Sequence, residues 1–182
     1  MTTALPKPEL HKIRIVPLID RAALEGFQCG EQEIDRKITQ SCDSQNTHRV
    51  RIFVALIEGV PRAYGFYSLS ISAAETKYLD AKIFQEHQDR AFLPFLYLNH
   101  IAVVKEWQGG GLGTGLLINA LGRCELVARN VGLYGVALHA LSDRVAGLYD
   151  RYGFRAVGRE KHPFMVLPVQ SLFDLFESAK SV

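Results

Sequence analysis

Residues 108–113 carry four glycines in six positions, and this composition suggests contact with an anion. The stretch reads Gln108-Gly109-Gly110-Gly111-Leu112-Gly113; it follows an apolar run at residues 95–104 and precedes a helix-like segment from Thr114 to about Asn130. A strand, a glycine turn and a helix in this order present unpaired backbone N–H groups to a phosphate. Glycines let the backbone approach the anion closely and adopt positive φ. The stretch therefore predicts a cradle for a diphosphate.

Two commoner phosphate-binding loops do not fit these residues. A Walker loop needs Lys and then Ser or Thr after its last glycine, whereas Gly113 is followed by Thr114 and Gly115. The dinucleotide fingerprint needs glycines at offsets 0, 2 and 5, and residues 109–115 supply them in no register. The remaining alternative is a turn whose glycines only let a strand and a helix pack closely.

The overall composition limits the classes of function. With 182 residues, of which 48% are hydrophobic and 22% charged, the chain resembles one ordinary globular domain, and its net charge of +2 gives no global preference for nucleic acid. Three widely spaced cysteines, Cys29, Cys42 and Cys124, indicate unpaired thiols in a reducing cytoplasm. Six scattered histidines without ligand spacing predict no metal site. The pattern also predicts no signal peptide and no membrane helix, which would need ~20 apolar residues.

The hydrophobic pattern predicts the elements that surround the loop. We expect a flexible tail at residues 1–10 and a single domain over residues 11–182. The predicted strands are residues 13–17, 50–57, 63–72, 95–104, 134–140, 154–157 and 164–169, with an antiparallel hairpin formed by the second and third. The predicted helices are residues 31–42, 114–130, 142–152 and 172–178, with a helical turn at 21–25. Residues 43–49 are predicted as a polar loop, and residues 73–90 as irregular with a short helix near 82–87. This order predicts an α/β fold with a mixed sheet covered by helices.

Two motifs taken together resemble the GNAT N-acetyltransferases. The glycine loop after an apolar strand is similar to the family's acetyl-coenzyme A loop, Gln/Arg-x-x-Gly-x-Gly/Ala. Downstream, residues 146–154 (Ala-Gly-Leu-Tyr-Asp-Arg-Tyr-Gly-Phe) look like the family's helix that ends in Phe-Tyr-x-x-x-Gly-Phe. The resemblance implies the GNAT fold, with a mixed, mostly antiparallel central sheet flanked by helices. It also implies transfer of an acetyl group from acetyl-CoA to an amine, without a metal.

The same resemblance assigns residues to the acetyl donor. Backbone groups of the strand at residues 99–104 would pair with the pantetheine arm, as an added strand does, and would polarise the thioester oxygen. The binding positions implied there are Ile101, Ala102 and Val103. The diphosphate would be held at the helix N-terminus by Gln108, Gly109, Gly110, Gly111, Leu112, Gly113 and Thr114. The alternative for the strand residues is that they only form core.

Tyr149 matches the tyrosine of the family's helix, with Leu148 where the family has Phe. A phenol with a pKa of about 10 is protonated at neutral pH, so the resemblance implies that Tyr149 is the catalytic acid for the leaving thiolate. The alternative is a core aromatic residue on an amphipathic helix, which is our interpretation of its neighbour Tyr152. No general base is evident. His100 and Glu106 are both candidates, although a strand histidine is more often structural.

The N-terminal half is similar to one subgroup of the family, the toxins of toxin–antitoxin modules. Phe27-Gln28-Cys29-Gly30 followed by Ile34-Asp35 looks like their Phe-x-Cys-Gly-x-x-x-Leu-Asp opening, and residues 64–70 (Tyr-Gly-Phe-Tyr-Ser-Leu-Ser) look like their Gly-Tyr-Tyr-x-Leu-Ser strand. Those toxins acetylate the α-amine of aminoacyl-tRNA and are neutralised by a ribbon-helix-helix antitoxin. The resemblance implies charged tRNA and such an antitoxin as partners and a cytoplasmic location, and it leaves a homodimer open. The chain departs from the pattern at one informative place: the usual Gly-Arg-Leu-Ala-Val strand reads Asn99-His100-Ile101-Ala102-Val103 here, so its arginine is missing.

Local positive charge is a further indication about the acceptor. Residues 144–161 hold five basic residues against two acidic ones, and residues 48–51 add a second basic stretch. The basic residues are Arg144, Arg151, Arg155, Arg159 and Lys161 in the first stretch and His48, Arg49 and Arg51 in the second. Such groups contact phosphates without reading sequence, although charge runs are more often solvated surface. Three functions stay open: a toxin that acetylates aminoacyl-tRNA, a GNAT enzyme for a small amine or a protein amine, and a non-catalytic module that binds an antitoxin and operator DNA.

Overall fold

The computed structural model describes residues 8–46, 48–75, 91–157 and 163–180. Within these residues the chain forms a seven-stranded sheet with the order β1-β2-β3-β4-β5-β7-β6. The strands are β1 (Arg14–Pro17), β2 (Arg51–Leu56), β3 (Gly65–Glu75), β4 (Phe92–Val103), β5 (Gly135–His139), β6 (Arg155–Val157) and β7 (Phe164–Pro168). The α-helices are α1 (Gln32–Asn46), α2 (Leu112–Ala128), α3 (Asp143–Asp150) and α4 (Val169–Lys180), and the 3-10 helices are η1 (Leu10–Lys12), η2 (Arg21–Leu24) and η3 (Lys105–Trp107).

The strand pairing confirms the mixed, mostly antiparallel sheet. β1 with β2, β2 with β3, β5 with β7 and β6 with β7 are antiparallel, and β4 with β5 is parallel. The chain divides into two compact units, one of Met1–Ser70 with Asn99–Ala120 and one of Ile71–Leu98 with Leu121–Val182.

In the first unit, a glycine sets how closely β3 approaches β4. A Cβ atom at Gly65 would lie 2.8 Å from the carbonyl oxygen of Ala102 and 2.9 Å from Leu116 Cδ1. Side chains around this contact, such as Phe66 and Leu116, are fully buried. The absence of a side chain at Gly65 therefore brings the backbone of β3 against β4 where β4 leads into the glycine loop.

In the second unit, an apolar cluster holds β5, β6 and β7 together. It consists of Leu93, Phe95, Ala137, Val157 and Val166. The register pairs Gly135 with Pro168 and His139 with Phe164. β5 ends at His139, and α3 begins shortly after it, at Asp143. Each cluster residue is at most 4% exposed, so these strands are closely packed and rigid. They support α3, the helix that contains Tyr149.

Several predicted boundaries were wrong, among them the start of β4, which lies at Phe92 rather than at residue 95. Helix α1 continues to Asn46, because the Gln45 side chain donates to Leu18 O at 3.0 Å and accepts from Ile52 N at 2.7 Å, so a polar residue serves a tertiary contact rather than a loop. β3 continues to Glu75, so residues 73–75 are strand, and the short helix predicted near residues 82–87 lies outside the described residues. Helix α4 begins at Val169, directly after β7.

Two other expectations, the hairpin and the unpaired cysteines, are confirmed. The predicted hairpin corresponds to β2 and β3, which pair antiparallel. All three cysteines are free and buried. Of the predicted tail, residues 1–7 lie outside the described range, and Leu10 begins η1. In the part of the chain that is described, no helix has the length and apolar character needed to cross a bilayer.

Candidate functional site

The glycine loop connects η3 to α2 and requires glycine at two positions. Gly109 has φ +80° and Gly111 has φ +88°, in the left-handed region that favours glycine. The first bond of the following helix runs from Gly115 N to Gly111 O at 3.1 Å, which makes Gly111 the N-cap of α2. The sequence correctly located the strand, turn and helix that such a loop needs.

The loop leaves its backbone donors open. Among the described residues, no group accepts a hydrogen bond from the N–H groups of residues 109–114. Two other helix starts differ, since the side chains of Asp20 and Ser142 accept bonds at the starts of η2 and α3. Cβ atoms at Gly109 and Gly111 would meet nothing within 4 Å. An N-terminus with free donors and an open surface fits a diphosphate.

The side chains of the predicted loop residues contribute unequally. Leu112 is 5% exposed, so only its N–H can face a ligand, and Thr114 is half-buried. A Cβ at Gly113 would lie 3.8 Å from Val103 Cγ2, and one at Gly110 would lie 3.7 Å from Trp107 O. The cradle is therefore built mainly of backbone.

The Gln108 side chain ties the loop to the rest of the first unit. Its Nε2 donates to Cys29 O at 2.7 Å and to Val103 O at 3.0 Å. These bonds use both amide protons on backbone carbonyls, so the side chain fixes the start of the loop. Gln108 is thus placed as a positioning residue.

The N-terminal motif continues this connection. The Asp35 carboxylate accepts from Cys29 N at 2.9 Å, Gly30 N at 3.3 Å and Cys29 Sγ at 3.1 Å. Burial, together with the bond to Asp35, raises the pKa of the Cys29 thiol to about 11, so the thiol stays protonated. We call the chain of contacts Asp35–Cys29–Gln108 the loop clamp. Sequence reasoning treated this motif as a family marker and missed its contacts, although an Asp at the start of a helix is a known capping signal.

Successive residues of β4 direct their backbone N–H and C=O groups alternately towards β3 and towards the opposite edge of the strand. Val104 N donates to Tyr64 O at 2.9 Å, and Ala102 O lies against Gly65, so residues 102 and 104 face β3. Neighbouring residues face the other way, which places the backbone groups of Ile101 and Val103 on the opposite edge. On that edge, Val103 O already bonds Gln108, leaving Val103 N–H and both groups of Ile101. The backbone of Ala102 is used within the sheet.

The pairing of β4 with β5 stops early. It covers Phe95, Leu96 and Tyr97, whereas β4 continues to Val103. Over the described residues, no strand pairing is found for the later part of β4 on the edge away from β3. The two residues predicted to pair with pantetheine thus have backbone groups free for an added strand.

Tyr149 lies near the end of α3 in the second unit. Its side chain is 4% exposed, and its ring lies 5.7 Å from that of Phe154. Its carbonyl accepts from Tyr152 N and Phe154 N, and Gly153 ends the helix with φ +88°. Burial raises the pKa of Tyr149 to about 12, so the phenol holds its proton at neutral pH. A buried phenol is compatible with a role in packing. Because it is protonated at neutral pH, it is also compatible with a role as a proton donor.

The candidate bases differ in their surroundings. His100 lies on β4, with Nδ1 3.5 Å from Ser41 Oγ and 3.4 Å from Ser68 Oγ. Burial lowers the pKa of His100, so the imidazole is neutral at neutral pH. Glu106 is exposed on η3. In the described residues, no group of three or more His, Cys, Asp or Glu side chains is close enough to hold a metal ion.

The predicted basic stretches are partly described. Arg144 and Arg151 are exposed and form no ion pair with a described residue, whereas Arg155 pairs with Asp150 at 2.8 Å. Arg51 lies 3.2 Å from His48 Nδ1. Two more predicted residues, Arg159 and Lys161, lie outside the described ranges.

Comparisons with known proteins agree with this geometry. Residues 81–163 match the family model described as "Acetyltransferase (GNAT) domain". A tRNA-acetylating toxin of Mycobacterium tuberculosis is 29% identical over 136 residues, which cover 74% of this chain and 80% of that protein. The crystal structure of a tyrosine-to-phenylalanine variant of KacT has a TM-score of 0.81 at 25% identity, covering 91% of this chain and 99% of that chain. AtaT complexed with acetyl-methionyl-tRNAfMet has a TM-score of 0.78 at 24% identity, with 90% and 99% covered, and this likeness shows the fold.

Proposed function

Because the chain belongs to the GNAT acetyltransferases, we propose that it moves an acetyl group from acetyl-CoA to the α-amine of aminoacyl-tRNA and so blocks translation as the toxin of a toxin–antitoxin module. The observation that carries the donor assignment is the open row of N–H groups at residues 109–114. The likeness to a tRNA-acetylating toxin over 74% of the chain supports the acceptor. Acting on charged tRNA places the protein in the cytoplasm.

The donor is held by backbone. The N–H groups from Gly109 to Thr114 bind the diphosphate, and the free edge of β4 at Ile101 and Val103 pairs with the two amides of the pantetheine arm. A backbone N–H of this edge polarises the thioester carbonyl, because a fixed donor stabilises the charge that develops on oxygen. The loop clamp keeps these groups in place before acetyl-CoA arrives.

Tyr149 acts as the acid for the departing thiolate. Its buried phenol is protonated throughout the physiological range, so a proton is available when the C–S bond breaks. The exposed Arg144 and Arg151 flank this residue along the chain and supply positive charge for an RNA backbone. A ribbon-helix-helix antitoxin remains a proposed partner on the toxin resemblance.

Transfer of labelled acetyl from acetyl-CoA tests the proposal. The acceptors are charged tRNA, the same pool deacylated, polyamines and peptides. We expect label on charged tRNA alone, lost in Tyr149→Phe and retained in the matched control Tyr152→Phe. Overproduction should stop growth, and Tyr149→Phe should relieve the arrest.

The alternative is a GNAT enzyme for a small amine or a protein amine. Label on polyamines or peptides, with charged tRNA unlabelled, would establish that function and contradict the toxin proposal. Coenzyme binding without transfer to any acceptor would instead indicate a binding module.

A further inference from the structure

Two buried serine hydroxyls converge on one histidine in the first unit. Ser68 is fully buried and Ser41 is 7% exposed, and both Oγ atoms lie 3.4–3.5 Å from His100 Nδ1. Buried polar groups need partners, and here the imidazole supplies them. When Nδ1 carries the imidazole hydrogen and donates it to a serine Oγ, Nε2 keeps its lone pair and can accept a proton from a ligand.

His100 also lines a cleft between α1 and the end of β4. The cleft has a volume of about 140 Å³. Polar and charged residues and one valine line it, although more of the exposed lining surface is apolar than polar. These residues are Lys37, Gln40, Ser41 and Ser44 from α1, Asn99 and His100 from β4, and Val50. At ~30 Å³ per water molecule, this volume holds an amine with a short stretch of carbon chain and is too small for a nucleoside. The cleft is therefore suited to a small polar group.

The charges around the cleft favour an uncharged amine. The Lys37 ammonium lies 2.6 Å from the Glu33 carboxylate, and both belong to α1. Burial, and then the charge of Lys37, lowers the pKa of His100, while Glu33 acts in the opposite direction. The same field that disfavours an imidazolium disfavours a bound ammonium. An acceptor amine in this cleft is thus driven towards its nucleophilic, deprotonated form.

The position along β4 connects the cleft to the donor. A pantetheine arm that starts at the glycine loop and pairs with Val103 and then Ile101 runs towards lower residue numbers. The next residue in that direction is His100, so the thioester end of the arm comes to the part of β4 that lines the cleft. The juxtaposition follows from the strand alone, because all these residues belong to one unit.

We propose that this cleft receives the acceptor amine and that His100 Nε2 takes its proton. The inference rests on the proposed function for its donor. The ammonium gives one proton to His100, which releases it to solvent, and the amine nitrogen forms a bond to the acetyl carbon as the C–S bond breaks. The thiolate takes up one proton, and the amine nitrogen loses its second proton as the amide forms. The products are the acetamide, free coenzyme A and one released proton.

Chemical rescue tests the role of His100. His100→Ala leaves room for free imidazole, whereas His100→Gln fills the same space without a base. We expect His100→Ala to lower kcat by about 10²–10⁴-fold, the usual effect of losing a general base, while the Kd for acetyl-CoA stays within twofold. Added imidazole should restore activity in proportion to its free-base form in His100→Ala and not in His100→Gln. His11→Ala, at an exposed histidine beside Glu9, is the control and should keep full activity.

The other outcomes overturn the inference. Unchanged kcat in His100→Ala excludes the base role, and a loss that imidazole cannot restore reduces His100 to a structural residue. The assay uses whichever amine the wild-type protein acetylates, so a failure of the tRNA proposal shows in the wild type and a failure of this inference shows only in the variants.

Discussion

Replacing Gln108 by Met distinguishes two possible roles of this side chain. Either it holds the glycine loop in place as part of the loop clamp, or it binds the diphosphate directly. The Nε2 of Gln108 makes two bonds, to Cys29 O and Val103 O, that Met cannot make although its length is similar. At about 0.5–1.5 kcal/mol each, their loss should lower the free energy of unfolding of the ligand-free protein by about 1–3 kcal/mol. For a chain of this size that corresponds to a melting temperature lower by about 2–12 °C.

The same change should weaken coenzyme binding. If the whole of this lost free energy destabilises the loop alone, the Kd for coenzyme A should rise by about five- to 150-fold, because about 1.4 kcal/mol corresponds to a factor of ten. Isothermal calorimetry measures the Kd, and hydrogen exchange of residues 105–114 in the ligand-free protein measures the loop. The matched control is Gln32→Met, which removes one exposed bond to Arg36 on α1.

The two roles of Gln108 give different patterns. A clamp alters both the ligand-free protein and the affinity. If the affinity falls while melting and hydrogen exchange of the ligand-free protein stay at wild-type values, the side chain binds the diphosphate directly and the clamp is refuted.

Three further predictions concern the cradle, the acid and the histidine. Gly110→Ala adds a methyl group where the nearest atom is 3.7 Å away, so the fold should be unaffected while calorimetry shows coenzyme A bound about tenfold more weakly; Gly147→Ala, with nothing within 4 Å, should leave both unchanged. Tyr149→Phe should lower kcat by about 10²–10⁴-fold at unchanged acetyl-CoA affinity, and because burial raises the pKa of Tyr149 to about 12, a pH–rate profile should show no alkaline loss from this group up to about pH 10. Burial and Lys37 lower the pKa of His100 in the folded state, so its contribution to stability is present above about pH 6.5 and is lost as the pH falls through the folded pKa. Urea titrations at two pH values should show this loss in the wild type and a smaller one in His100→Gln.

Local signals accounted for most of the fold. The Ser142 side chain accepts from Val145 N at the start of α3, and Gly153 follows that helix with positive φ. Serine before a helix and glycine after it are ordinary local signals of helix ends. Such features depend on residues within one turn of each other, so a single sequence contains the information.

Tertiary hydrogen bonds were the part that local signals could not supply. Gln45 has the composition of a loop residue, yet its bonds to Leu18 and Ile52 keep it in α1. Gln108 was expected at the diphosphate because its spacing matches a motif, yet the amide reaches Cys29, which is 79 residues away. No periodicity reports a contact of that separation, and such contacts decide what a polar side chain does.

The clamp changes what the N-terminal motif implies about substrate. Phe-Gln-Cys-Gly with Asp35 contacts the glycine loop through Gln108, so this motif by itself bears on the proposed donor site. The proposed acceptor rests instead on the likeness to a tRNA-acetylating toxin over 74% of the chain. The proposed acceptor cleft contains His100, which stands where the central strand of that subgroup usually has an arginine. An arginine stays charged at any physiological pH and can only hold an anion, whereas a neutral imidazole can accept a proton. This chain is therefore expected to share the subgroup's donor chemistry and to differ from it in acceptor preference and in the acid side of its pH dependence.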